Sequence, residues 1–420
     1  MPISESFRSS LYPQLPRIVS HFGTPFHIYD ETGIRQTCRR LKTAFAGLDE
    51  FREYYAVKAL PNPKILQIMQ DEGFGFDCSS ITELKLSRQL GAKGDDIMFT
   101  SNNTSHEEFL AAQEDGGCIL NLDDISLLDK VPTLPDLISF RYNPGNKRSG
   151  NAIIGTPGEA KYGVSSEQII EAYRRAQQQG IKRFGIHTML ASNELNHNYM
   201  IQTADMLLDL VEQLETELDI RFEFINIGGG LGIPYRPEDQ PFDLEQMARG
   251  ITSHFRTFKE KHGYIPALYM ESGRFMTGPH GVLVVKAINR KSIYRTYIGV
   301  DACMTALMRP GMYDAYHHIE VLGKGNSAET EIVDVVGSLC ENNDKFAKQR
   351  ELPKINDGDL LIIQDTGAHG HSMGFNYNGK LRPQELLLRQ DGRVELIRRE
   401  ETEEDYFRTL NFDENVLALQ

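Results

Sequence analysis

The sequence predicts an α/β fold, a (β/α)8 barrel followed by a C-terminal, mostly antiparallel β domain. Three observations carry this. From about residue 34 to 280, short apolar runs alternate with longer amphipathic ones. Eight of the short runs read as strands, and a strand–helix repeat of that length fits a closed barrel better than an open doubly wound sheet. After residue 280 the texture changes to β-prone runs separated by Gly-, Asn- and Asp-rich turns, with long helices nearly absent.

The expected division is 34–280 for the barrel and 281–420, with 1–33, for the β domain. The N-terminal stretch is expected to join that domain through a strand at 25–29. Barrel strands are expected at 54–57, 74–78, 97–99, 118–122, 137–142, 183–187, 222–227 and 267–271. Helices are expected at 33–45, 62–72, 81–90, 105–114, 166–180 and 199–218. The first strand is apolar and β-prone, and Pro61 and Pro63 forbid its continuation. In the β domain, strands are expected at 282–289, 292–300, 318–322, 331–337, 359–365 and 385–388. The acidic stretch 400–404 reads as a solvated helix start.

A chain of 420 residues, 40% hydrophobic, is long enough for two domains and a large core. Its 45 basic and 59 acidic residues give a net charge of −14 with no basic cluster, which argues against nucleic-acid and membrane partners. Cys38, Cys78, Cys118, Cys303 and Cys340 form no CxxC pair and no metal-ligand spacing. Such a scattered, odd set fits free thiols in a reducing compartment, and no metal is expected. There is neither a basic, apolar leader nor an apolar run approaching the ~18 residues of a membrane span. The expectation is a soluble cytoplasmic protein.

Barrel enzymes build their sites at the C-terminal ends of the strands. Lys58, Asp77, Arg141, His187, Gly228 and Glu271 all fall at expected strand ends. Most lysines in such positions are solvated, but one facing the mouth of a parallel sheet suits Schiff-base chemistry, desolvation lowering its pKa. In Asn226-Ile227-Gly228-Gly229-Gly230-Leu231-Gly232, consecutive glycines bare the backbone N–H groups and let a phosphate approach. A turn alone needs one or two glycines. Glu271-Ser272-Gly273-Arg274 could be a surface ion pair or a grip on a phosphorylated heterocycle. Arg309-Pro310-Gly311-Met312-Tyr313, the segment from Cys340 to Asp344 and Asn376-Tyr377-Asn378 are polar, turn-rich stretches that would make poor core.

In this order the segments resemble the fold-III pyridoxal-phosphate decarboxylases, and within them the diaminopimelate decarboxylase family. The matching stretches are YYAVKA (54–59), FGFDCSSITE (74–83), RYNPG (141–145), KYG (161–163), NIGGGLGIPY (226–235) and ESGR (271–274). They continue with LMRPGMYDAYH (307–317), LCENND (339–344) and DTGAHGHSMGFNYNGKLRP (365–383), and so span nearly the whole chain.

The resemblance implies pyridoxal 5'-phosphate carried covalently on Lys58, its phosphate on Gly228, Gly229 and Gly230, and its pyridine nitrogen paired with Glu271. Asp77, Ser192, Gly273, Arg274 and Tyr377 complete the implied cofactor site. Cys340 would protonate Cα after CO2 leaves. Arg274, Arg309 and Tyr313 would meet a distal carboxylate and Glu341 a distal ammonium, with Tyr377 also at the substrate. Cys340 and Glu341 would come from the second subunit of a homodimer with shared sites.

The implied reaction is decarboxylation of meso-2,6-diaminopimelate to L-lysine. The alternative is a related decarboxylase for another carboxylate-bearing amino acid: a carboxylated polyamine precursor, a D-amino acid or a carrier-tethered residue. An alanine racemase would place arginine at the pyridine nitrogen, and a non-catalytic cofactor-binding protein would lack the β domain. Three departures stand out. Met189-Leu190-Ala191-Ser192 replaces the family's His-Ile-Gly-Ser, whose histidine stacks on the cofactor. Gly367-Ala368-His369, followed by His371, replaces Gly-Ala-Tyr. The proline at the second position of the ESGR segment is missing.

Overall fold

The computed structural model describes residues 3–149, 155–325 and 327–412. The ends of the expected β domain, 1–2 and 413–420, lie outside the described residues. Two compact units form: one over Thr32–Pro279, the other from the segment up to Glu31 and the chain from His280 onward. The first strand of the chain, β1 (Phe26–Asp30), belongs to the second unit.

In the first unit the strands are β2 (Phe51–Ala56), β3 (Gly75–Cys78), β4 (Gly94–Phe99), β5 (Cys118–Leu122), β6 (Leu137–Asn143), the two-residue β7 (Val164–Ser165), β8 (Arg183–His187), β9 (Phe222–Asn226) and β10 (Ala267–Met270). Their order is β5-β4-β3-β2-β10-β9-β8-β6, and β5 pairs with β6 to close the ring, leaving β7 outside it. Every pairing in the ring is parallel. The result is the expected eight-stranded barrel.

Its lower interior is filled by Tyr54, Met98, Ile119, Leu137, Phe224 and Ala267. Two glycines make the room: a Cβ on Gly75 would come within 2.7 Å of the Tyr54 ring, and one on Gly185 would overlap Phe224. With that interior packed, polar chemistry in such a barrel belongs at the C-terminal ends of the strands.

Helices return the chain between strands, most of them started by a side chain that satisfies a free N–H group. Asn62 caps Pro63–Asp71, Ser80 caps Ile81–Gln89, and Ser105 forms a capping box on His106–Gln113. Asn196 and Asp243 cap the long helices His197–Leu218 and Leu244–His262. The last is not among the expected helices. Its interior Gly250 reads as a helix breaker, yet a Cβ there would overlap the Ile201 side chain, so the glycine serves helix–helix packing.

The second unit adds β11 (Gly281–Ser292), β12 (Thr296–Val300), β13 (Ile319–Val321), β14 (Thr330–Val336), β15 (Lys345–Pro353), β16 (Leu360–Ile363), β17 (Gln384–Leu388) and β18 (Val394–Arg398). The sheet runs β15-β14-β12-β11-β1-β17-β18, with β16 paired to β11 and β13. Only β1–β17 and β12–β14 are parallel. The N-terminal segment completes this sheet through β1, and its helices Glu5–Leu11 and Leu15–Phe22 place Phe7, Leu11, Leu15 and Ile18 on Phe26, Ile28, Val282 and Leu386. Strands β15 and β18 are unforeseen, because as charged edge strands they lack the apolar run that marks an interior one. Among the described residues no helix is long and apolar enough to cross a membrane.

Candidate active site

Strand β2 stops at Ala56, and Val57–Ala59 forms one 3-10 turn that carries Lys58. Across the barrel wall, β10 gives way to Glu271, Ser272 and Gly273. A Cβ on Gly273 would sit 2.7 Å from the Ala59 Cβ and 3.0 Å from that of Ala56. Glycine is what lets this turn close on the lysine turn. The Ser272 N–H donates to the buried Glu53 carboxylate, fastening the same junction.

The Lys58 Nζ lies 3.2 Å from Asp77 Oδ2, with half of the Lys58 side chain exposed and Asp77 buried. The Asp77 carboxylate, and after desolvation's opposing effect Glu271, hold the ammonium above the ordinary lysine range. This corrects the expectation of a lowered lysine pKa: attraction by two acids outweighs the cost of desolvation. Burial, followed by Glu271 and against the pull of Lys58, raises Asp77 to about 7.

Glu271 is treated differently by its surroundings. Asn226 Nδ2 donates to Oε1 at 2.7 Å, and His187 Nε2 lies 3.0 Å from Oε2. Burial opposes its ionisation, but His187, Lys58 and Asn226 together hold Glu271 below the ordinary carboxylate range. Asn226 also accepts the Gly228 N–H on its Oδ1 at 2.8 Å, joining the carboxylate to the glycine loop.

That loop is glycine for steric reasons. Gly228 and Gly230 have φ of +70° and +98°, conformations other residues avoid. A Cβ on Gly228 would overlap the Thr188 carbonyl oxygen, one on Gly229 that of Glu271, and one on Gly230 would lie 2.5 Å from that of Ala191. Gly229→Ala should therefore cost about 1–3 kcal/mol in overpacking or displace the loop. Cofactor titration by absorbance is expected to show affinity weakened at least about tenfold in a folded protein. Unchanged affinity would contradict this role for the close approach.

Met189 does not stand free where the family has its stacking histidine. Its Sδ accepts the Gly229 N–H at 3.2 Å, and its carbonyl accepts from Arg141, which also bonds Asp123 and lies 4.3 Å over the Tyr162 ring. Arg274 is buried, donating to Tyr235 Oη at 2.6 Å and reaching Ser192 Oγ at 3.5 Å. The first unit thus gathers Lys58, Asp77, Ser192, Gly228, Gly229, Gly230, Glu271, Gly273 and Arg274 around one rim, partly through Asn226, Ala191 and Ala59. An amine, a carboxylate held as its anion and a run of glycines with no side chains to block close approach fit pyridoxal phosphate.

In the second unit, the other expected residues converge on each other. Arg309 is buried in the helix Arg309–Tyr313, and its Nη1 donates to His317 Nε2 at 3.0 Å. The His317 Nδ1–H in turn donates to the Gln364 carbonyl at 2.8 Å. A Cβ on Gly311 would come 2.6 Å from the Asn343 carbonyl, so this helix packs on the Cys340 loop. Asp344 pins that loop by accepting the N–H groups of Met304 and Leu339 at 2.6 and 2.8 Å. Asn378 accepts the Cys340 N–H at 2.7 Å, bringing Tyr377 alongside. Cys340, Tyr313 and Tyr377 are exposed and Glu341 partly so.

Sequence reading alone misses Asn226, Glu53, Tyr235 and His317. Asn226 and His187 carry a signal in retrospect: each ends a strand, and register pairs them. Tyr235 and His317 close the stretches 226–235 and 307–317, but their roles, like that of Glu53, depend on distances that the sequence does not show.

The pyridoxal-dependent decarboxylase family, through its pyridoxal binding domain, matches residues 31–278. The chain is 48% identical to Protein TabA of Pseudomonas amygdali pv. tabaci over 97% of this chain and 96% of that one. It is 36% identical to the diaminopimelate decarboxylase of Methanothermobacter thermautotrophicus over 95% and 94% of the two chains. The crystal structure of diaminopimelate decarboxylase from M. jannaschii in co-complex with L-lysine superposes with a TM-score of 0.88 at 31% identity, covering 94% of each chain. With these likenesses, the chain belongs to the pyridoxal-dependent decarboxylases and is an enzyme that uses pyridoxal 5'-phosphate.

Proposed function

We propose that this enzyme decarboxylates meso-2,6-diaminopimelate to L-lysine and CO2, in the cytoplasm, as a homodimer. The observation that carries the chemistry is Glu271, buried at the barrel rim with both carboxylate oxygens bonded, beside Lys58 and the glycine loop. Bound there, pyridoxal phosphate supplies an electron sink for the charge left on Cα when CO2 departs. Lys58 holds the cofactor covalently, and Asp77 beside it takes up and returns the amine's proton. The Gly228–Gly230 loop receives the phosphate, with Ser192 and Arg274 at its margin. Glu271 keeps the ring nitrogen protonated.

Cys340 and Glu341 act on the rim of the partner subunit. Arg309 is oriented by His317 and meets the substrate's distal carboxylate, which a guanidinium matches bidentately. Tyr313 and Tyr377 flank the substrate, and Glu341 accepts its distal ammonium. The Cys340 thiol delivers its proton to Cα after CO2 has left, with its loop held by Asp344 and Asn378. Ornithine, lysine and arginine present cations where Arg309 needs an anion. A second reading, another carboxylate-bearing amino acid as substrate, is favoured by Met189 in the histidine position.

Purified protein offered a panel of amino acids should release CO2 fastest from meso-diaminopimelate, with L-lysine and L-ornithine poor substrates. Arg309→Ala should raise KM for meso-diaminopimelate about ten- to a hundredfold, a charge-assisted bond contributing roughly 1.5–3 kcal/mol, with cofactor affinity unchanged. Faster decarboxylation of lysine or ornithine would overturn the substrate assignment.

A further inference from the structure

Glu53, Asp77 and Glu271 are three buried carboxylates of the first unit. Their surroundings differ in one respect. Glu53 receives the Ser272 N–H on Oε1, and its Oε2 has no partner among the described residues. Asp77 receives Lys58 on Oδ2, and its Oδ1 likewise has none. Glu271 alone of the three has both oxygens bonded, Oε1 by Asn226 and Oε2 by His187. A buried carboxylate with both oxygens bonded is favoured as the anion, whereas one with a bare oxygen is cheaper to bury protonated. The directions agree: burial pushes Glu53 and Asp77 up, and Glu271 is held down.

The two donors are not equivalent. Asn226 is committed on its other side to the Gly228 N–H, so its amide is locked to the loop backbone. His187 closes β8, is 1% exposed, and stands in register with Asn226 on one side and Arg141 on the other. An ionised carboxylate can only accept, so it is His187 Nε2 that carries the hydrogen. Without that donor, Glu271 would keep one bonded oxygen among two neighbouring carboxylates, as Glu53 does, with Lys58 the one charge left to favour its anion.

We propose that His187 is a positioning residue: its Nε2–H fixes Glu271 as the anion that keeps the cofactor's ring nitrogen protonated. The proposal rests on the reading that Glu271 meets that nitrogen. If the His187 bond is lost, the proton shared with the ring nitrogen passes to Glu271, and the ring becomes a weaker electron sink.

The test loads the protein with pyridoxal phosphate labelled with 15N in the ring, whose shift reports protonation without any substrate. Wild type and His187→Gln, which retains an N–H donor, should hold the nitrogen protonated. His187→Phe, and His187→Leu should the first variant fold poorly, should move the proton equilibrium about tenfold or more toward the bare nitrogen. Cofactor affinity should change less than about threefold in each. A protonated nitrogen in the donor-free variants, or a Gln variant as deprotonated as Phe, would overturn the proposal. Glu271→Gln separates the two levels: an unchanged nitrogen there overturns the reading beneath, and the role of His187 with it.

Discussion

Lys58→Ala is expected to abolish decarboxylation, lowering turnover at least ~10³-fold, and to remove the visible absorption of the covalently held cofactor. The expectation follows from geometry. Val57–Ala59 is the one turn at the end of β2, and it presents the amine 3.2 Å from Asp77 Oδ2 on the same rim as Glu271 and the glycine loop. Half of the lysine side chain is exposed, so its loss removes little packing and the melting temperature should change by only a few degrees. A variant that folds, keeps its visible band and still releases CO2 would show that another amine does this work.

Cys340→Ala is expected to lower kcat by about 10²–10⁴, the usual worth of a positioned proton donor, with KM and cofactor affinity within a few-fold of wild type. The loop is held by Asp344 and by the Cys340 N–H bond to Asn378, so a methyl in place of the thiol leaves its path intact. Because the thiol is proposed to act on the partner's barrel, mixing inactive Lys58→Ala with inactive Cys340→Ala should restore part of the activity. One site in each mixed dimer then carries both residues. No recovery, once subunit exchange is verified, would place both groups on one chain or neither in catalysis.

Much of the fold is legible in the sequence where a segment is apolar and bounded. Cys118–Leu122 and Arg183–His187 are such strands, and their ends coincide with those expected. Strand β2 begins three residues earlier than expected, at Phe51, and stops at Ala56, because Val57 already turns toward Lys58. Legibility fails where a residue does a job its type disguises. Gly250 looks like a breaker inside Leu244–His262 but makes room for Ile201. Lys345–Pro353 looks like a loop because an edge strand can be charged on its open side.

The site divides along similar lines. Lys58, Asp77 and Glu271 stand out as polar residues closing apolar runs, and the glycines as a cluster no simple turn needs. The bonds of Glu271 to His187 and Asn226, and of Arg309 to His317, are invisible until register and packing set their distances. The charge on Lys58 fails for the same reason. Desolvation can be read from a strand end, but the nearness of Asp77 and Glu271, which reverses its effect, cannot.

Borohydride reduction of the native protein loaded with pyridoxal phosphate, followed by peptide mapping, tests most directly whether this rim is the cofactor site. The expected result is a pyridoxyl group on the peptide containing Lys58, and none after reduction of Lys58→Ala. Label on another lysine, or on no lysine, would contradict the account at its base.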